Sequence, residues 1–259
     1  MMQMRTLSLM ILSLPSVIFA AEVSITPQTD VAACVQAAAA DDAALVLKVD
    51  TYEEFRSPHF ERLLTELEKA GVHSFEVRIR DDKFISSSPV YSEVMKRVGN
   101  PAGKGWVQYE HGCALYGADI DEDGADSQVD SADAETELIV SPFVQVVKVR
   151  TPGGKLLTAP YESPDANEMP WSADGKYVVL AGWGNHYIFE SAALDSATEP
   201  DWENQHHVEG KGTISWVNQH TFEFSTWCCG CSHSEYRYDI ETKTLTLLKK
   251  VRNKLKWKG

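Results

Sequence analysis

From residue 105 onward the chain abandons helical spacing. Trp, Tyr, Phe, Val and Thr come in short runs separated by Gly, Pro, Asn and Asp, the pattern of strands joined by tight turns. Runs at 106–109, 138–149, 156–159, 177–181, 186–190, 213–217, 221–227, 236–240 and 244–248 read as strands. Thr151-Pro152-Gly153-Gly154 makes a turn between two of them, because proline presets φ and glycine accepts positive φ. Asp174-Gly175 and Glu241-Thr242-Lys243 mark two further hairpin ends. Such a succession folds as an antiparallel β-meander.

The N-terminal part has a different texture. Asp30 caps a helix running to about residue 40 through an Ala-rich stretch that contains Cys34, and 43–49 is a continuous apolar run suited to a buried strand. Ser57-Pro58 supplies an N-cap and first helical residue. Phe60, Leu63, Leu64 and Leu67 then fall on one helical face, and Gly71 stops the helix after Lys69. Phe75, Val77 and Ile79 alternate with charged residues as a half-buried strand does, and a second short helix is predicted over 89–98. The expected class is α+β: a small α/β unit over 22–104, an antiparallel β-rich region over 105–249, and a basic tail over 250–259.

Ahead of both lies a segment that sets the address. Arg5 precedes an apolar stretch from about Leu7 to Phe19, which Ala20 and Ala21 close. That is the order of a secretory signal peptide, assigned to residues 1–21 with cleavage after Ala20 or Ala21. The stretch is shorter than the roughly 20 apolar residues a membrane span needs. No membrane span is therefore expected, and the mature chain is expected to be periplasmic or secreted.

Charge narrows the partners. The formal net charge is −14, so the phosphate backbone of nucleic acid repels the chain and a protein with a basic surface attracts it. Between residues 119 and 137 there are nine carboxylates and no Lys or Arg.

One local motif echoes itself. Trp171-Ser172-Ala173-Asp174-Gly175-Lys176-Tyr177 resembles the W-S-x-D-G-K strand opening of β-propeller repeats. Trp216 to Phe224 repeats its outline 45 residues later without the Asp-Gly, a spacing of about one blade. The resemblance implies blade-like sheets over some 80 residues and no particular function. About 145 residues of β-sequence would make three blades where closed propellers use four or more, so a partial, propeller-like region is expected.

The reactive residues gather in Trp227-Cys228-Cys229-Gly230-Cys231-Ser232-His233, with Cys34 and Cys113 completing five cysteines. An oxidising compartment favours disulfides. Neighbouring cysteines on a strand rarely bond to each other, so Cys228, Cys229 or Cys231 would pair with Cys113 or Cys34. A redox dithiol is the second reading. W-C-x-x-C resembles the thioredoxin active site, but a strand-like sequence comes next where that family has a helix. The third is a soft-metal site from Cys228, Cys231 and His233, joined by His111 and Cys113.

Asp119, Asp121 and Asp123 before Gly124 resemble the opening of a calcium loop, with Asp130 at the twelfth position where the EF-hand family places a bidentate Glu. Calcium is the one cofactor the sequence brings forward. Trp183, between glycines and near His186, reads as an exposed hairpin tip suited to partner contact. Trp171, Trp216 and Trp227 read as core, and His206-His207 as solvated. No nucleophile or zinc-protease motif is present. The expected function is a non-enzymatic binding protein: an inhibitor, an immunity-type protein or an envelope docking protein. The alternatives are an envelope hydrolase and a metal-handling protein using the Cys-rich loop.

Overall fold

The computed structural model describes residues 21–40, 45–81, 90–116, 137–161, 167–182, 184–196, 200–202, 205–228 and 232–252. Residues 1–20 of the predicted signal segment, the acidic loop with Asp119, Asp121, Asp123 and Asp130, Trp183, Cys229, Cys231 and the end of the basic tail lie outside them.

The first sheet grows strand by strand in chain order. Its parallel part comprises β1 (Ala21–Ile25), β2 (Leu45–Val49) and β3 (Phe75–Asp81). Helix α1 (Val31–Ala40) connects the first two strands; α2 (Tyr52–Phe55) and α3 (Pro58–Lys69) connect the second and third. Both crossovers step across the sheet in the same direction, so right-handed connections put their helices on one face. The caps are those the sequence signals. Asp30 accepts from the Ala32 amide at 2.9 Å, Ser57 accepts from the Phe60 amide at 3.2 Å, and Gly71 takes φ +82°. Phe60, Leu63 and Leu67 of α3 are buried against Leu45, Leu47, Phe75 and Val77, and each such side chain contributes about 2 kcal/mol.

The sheet then continues antiparallel through β4 (Val90–Gly99), β5 (Trp106–Tyr116), β6 (Glu137–Arg150) and β7 (Leu156–Ala159). Strand β4 corrects the helix expected over 89–98. Its register with β3 slips so that Met95 faces Val77 and Glu93 faces Arg78. Val94 is thereby left as the extra residue, and Val94 and Met95 are both buried. A bulge of this kind breaks the two-residue alternation, and Val90, Val94 and Val98 then mimic helical spacing. The boundary expected after residue 104 falls in the β4–β5 hairpin, inside this one sheet.

Two smaller antiparallel sheets complete the fold. The second has the order β10 (His207–Glu209), β9 (Asn185–Glu190), β8 (Tyr177–Gly182), with α4 (Ser191–Ser196) after β9. The third runs β11 (Lys211–Trp216), β12 (Thr221–Cys228), β13 (Ser232–Asp239), β14 (Thr244–Arg252). Strand β14 therefore takes in the first residues of the expected basic tail. Val107, Tyr109, Val147 and Val149 on one face of the first sheet pack against Val178, Leu180 and Phe189 of the second. Val179 and Ile188 of the second pack against Ile214, Phe222 and Phe224 of the third. The β-rich class holds, with three open sheets.

The two echoing segments are hairpin entries. Trp171 bridges to Val178; Ser172 accepts from the Tyr177 amide at 2.9 Å, and Gly175 takes φ +68°. Trp216 pairs with Phe222, and the Val217 amide donates to the Thr221 carbonyl at 2.8 Å.

Candidate functional site

The helix face of the first sheet changes character partway across. One cross-strand row reads Leu45, Phe75, Arg97, Gln108, Lys148, Thr158 from β2 to β7. It is apolar beneath the helices and polar beyond the edge of α3. Helix α3 buries Phe60, Leu63 and Leu67, which leaves Glu61, Leu64, Thr65 and Glu68 on the neighbouring stripe, one helical turn apart. Between that stripe and the β4–β7 floor lies a cleft of about 400 Å³.

Arg97 is its centre. The side chain is 5% exposed, and its guanidinium lies 4.8 Å from the Phe75 ring centroid and 4.1 Å from that of Trp106. Nε and Nη2 donate to Gln108 Oε1 at 2.8 and 2.6 Å. Gln108 in turn donates to Glu110 at 2.6 Å, and Lys148 reaches the same carboxylate oxygen at 2.6 Å. Across the cleft Glu68 lies 3.1 Å from Arg150 Nε, and 3.8 Å from Arg97 Nη1, too far for a hydrogen bond. Three buried donors in the lining, Arg97 Nη1, Trp106 Nε1 and Arg150 Nε, have no hydrogen-bond partner among the described residues, the last of them ion-paired with Glu68. Burial pushes the Arg97 guanidinium down to about 10, against the raising influence of Glu68 and Glu110; it stays charged at neutral pH.

With Arg56 and Glu61, the lining holds four cations and three carboxylates, locally positive in a chain of net charge −14. None of these residues stood out in the sequence as functional. The available signal was the alternation in Trp106-Val107-Gln108-Tyr109-Glu110 and Val146-Val147-Lys148-Val149-Arg150. It marks two-faced strands, and a polar face of that kind ordinarily reads as solvated.

A second feature lies at the far end of the chain. Strand β14 pairs only with β13, so its outer backbone edge is open among the described residues. Leu245, Leu247 and Leu248 on it are 51%, 52% and 41% exposed. Lys249 lies 3.5 Å from Glu235.

The residues singled out in the sequence are distributed differently. Cys34 is a buried free thiol on α1, with its pKa raised by burial, which leaves Cys113 as the other expected partner for the cysteine cluster. Cys113 lies on β5, while Cys228 ends β12 opposite Ser232. Strand β13 starts at Ser232, directly after Cys231, so the W-C-x-x-C string lacks the helix of thioredoxin-like sites. His233 sits 3.4 Å from Glu235, and His111 3.7 Å from Glu93. Among the described residues no three His, Cys, Asp or Glu side chains gather into a metal set.

His186 is the second correction. Its side chain is fully buried, edge-on to Phe224 at 5.1 Å, and does not face a partner. Burial lowers its pKa to about 4. Of the tryptophans read as core, Trp171 is buried and Trp216 is partly buried against the third sheet. His206 and His207 are both exposed, and His206 Nε2 also meets the Tyr238 hydroxyl.

No protein-family model matches the chain, and no curated protein matches it significantly. Among the described residues no helix is long and apolar enough to cross a membrane.

Proposed function

We propose that the chain is an exported, non-enzymatic binding protein that docks another protein of the cell envelope, as an inhibitor or immunity-type partner would. The observation that carries this reading is the open edge of β14. An unpaired strand edge bearing exposed leucines is a template for a strand from another chain, and soluble proteins ordinarily blunt such edges. The N-terminal segment supports export. Cleavage after Ala20 would leave β1 whole, since that strand begins at Ala21.

The partner that fits is basic overall, because a chain of net charge −14 speeds encounter with it. Its docking strand would carry a carboxylate opposite Lys250 and Arg252, the cationic end of β14. The second and third sheets, opened by the Trp171 and Trp216 hairpins, are read as two blade-like units that present this edge.

Affinity capture from an envelope extract tests the reading, using the mature chain and its Leu247→Lys variant as bait. Leu247 is a surface position, so the variant should lose less than about 0.5 kcal/mol of stability. The mature chain should begin at Ala21 or Glu22 by mass. It should retain one protein that high salt weakens and that Leu247→Lys does not retain. Equal retention by both baits would remove β14 from the interface.

A further inference from the structure

We infer that the cleft between α3 and the β4–β7 floor is a binding site for a small carboxylate with an apolar body. This is independent of any protein partner at β14, which belongs to a different sheet.

Three observations carry it. The first is that Arg97 Nη1 and Trp106 Nε1 are buried donors without hydrogen-bond partners in the lining, whereas the third such donor, Arg150 Nε, is ion-paired with Glu68 at 3.1 Å. Arg97 and Trp106 are 5% and 3% exposed, so neither donor is satisfied by bulk solvent. The guanidinium carbon lies 4.1 Å from the Trp106 ring centroid, which keeps the two side chains adjacent. A buried polar group without a partner forfeits on the order of 1–3 kcal/mol, and an oxygen anion recovers that on binding.

The second is charge. Arg56, Arg97, Lys148 and Arg150 face Glu61, Glu68 and Glu110, an excess of one positive charge. A monoanion completes that balance. A phosphate dianion would overshoot it and meet three carboxylates. The contacts of Arg97 with two rings, at 4.8 and 4.1 Å, point the same way, because the planar N–H edge of a guanidinium suits a flat carboxylate.

The third is shape. Phe60, Leu64, Met95 and Leu156 line the same space, and Leu156, on the edge strand β7, is 49% exposed. A cleft of about 400 Å³ lies within the size range of small-molecule sites, and these apolar residues border its charged lining. The carboxylate would sit at Arg97 and Trp106, and the apolar body would run along α3 toward Leu156.

The test monitors indole N–H resonances of the mature chain by nuclear magnetic resonance during titration with 3-phenylpropionate, its neutral amide and inorganic phosphate. Trp106→Phe keeps a ring against Arg97 and deletes one donor; it identifies the Trp106 cross-peak by its loss. The acid should shift that cross-peak saturably, with a dissociation constant of about 1 mM or tighter, and the amide should not. Loss of one hydrogen bond in Trp106→Phe should weaken binding about fivefold, monitored on the remaining amide resonances. Arg150→Gln, at the more exposed rim, provides a second folded variant and should also bind the acid more weakly. The inference is overturned if the amide shifts the cross-peak as the acid does, or if phosphate does so and the acid does not. It is equally overturned if no probe shifts it by about 10 mM.

Discussion

His186 sits where the second and third sheets meet, edge-on to Phe222 and Phe224 at 6.4 and 5.1 Å, and neither ring nitrogen has a hydrogen-bond partner among the described residues. The Gly210 backbone closes over it: a Cβ at that position would stand 2.5 Å from the ring. Such a site accepts the neutral imidazole and resists the charged one, and burial lowers the pKa from 6.5 to about 4. As pH falls below 6.5, the unfolded chain binds a proton that the folded chain refuses. Stability therefore declines down to about pH 4 and changes no further through this group. At about 1.4 kcal/mol per pH unit the whole interval is worth about 3 kcal/mol, of which about 1.4 kcal/mol is lost by pH about 5.5.

Other groups titrate in the same window. His73 and His206 are lowered by burial as well, so the wild-type profile alone does not isolate His186. The informative comparison is with His186→Leu, which replaces two unpartnered nitrogens by apolar volume and forfeits no hydrogen bond. Urea midpoints measured for both from pH about 7.5 to about 4 should diverge in the variant's favour, by up to about 3 kcal/mol at the acid end. Parallel curves would refute the argument, because they would show that the ring takes up its proton equally in both states.

Two further substitutions test the frame. Leu63→Ala should cost about 3 kcal/mol, read from a urea midpoint, because Leu63 is fully buried between α3 and the sheet and the vacated volume cannot close. Gly105→Ala should cost about 2 kcal/mol or more in thermal unfolding, since Gly105 holds φ +90° and a Cβ there would lie 2.5 Å from the Arg150 carbonyl oxygen. An unchanged melting temperature in that variant would mean the β4–β5 turn is not clamped by β6.

What was legible along the chain was whatever depends on neighbours. Strand β7 occupies 156–159 as expected, and α3 starts at Pro58 behind its Ser57 cap. These signals are local: capping, alternation and turn chemistry act over a few residues. The failures are equally specific. The β4 bulge imitated a helix, because periodicity cannot register which residue a neighbouring strand skips. The cleft went unseen because Arg97, Gln108 and Lys148 belong to three strands and become a site only when the register aligns them. His186, beside glycines in an apparent hairpin tip, is enclosed by Phe222 and Phe224 of another sheet.

The amino-acid order alone determined the acidic balance, the β-rich class and many element boundaries, since each arises from side-chain chemistry and short-range periodicity. Tertiary structure decided that the first seven strands form one continuous sheet, that its polar row becomes a walled cleft past the edge of α3, and that β14 is left open. Those outcomes depend on hydrogen-bond register and on which apolar faces meet, and both are long-range properties fixed only when distant segments pack together.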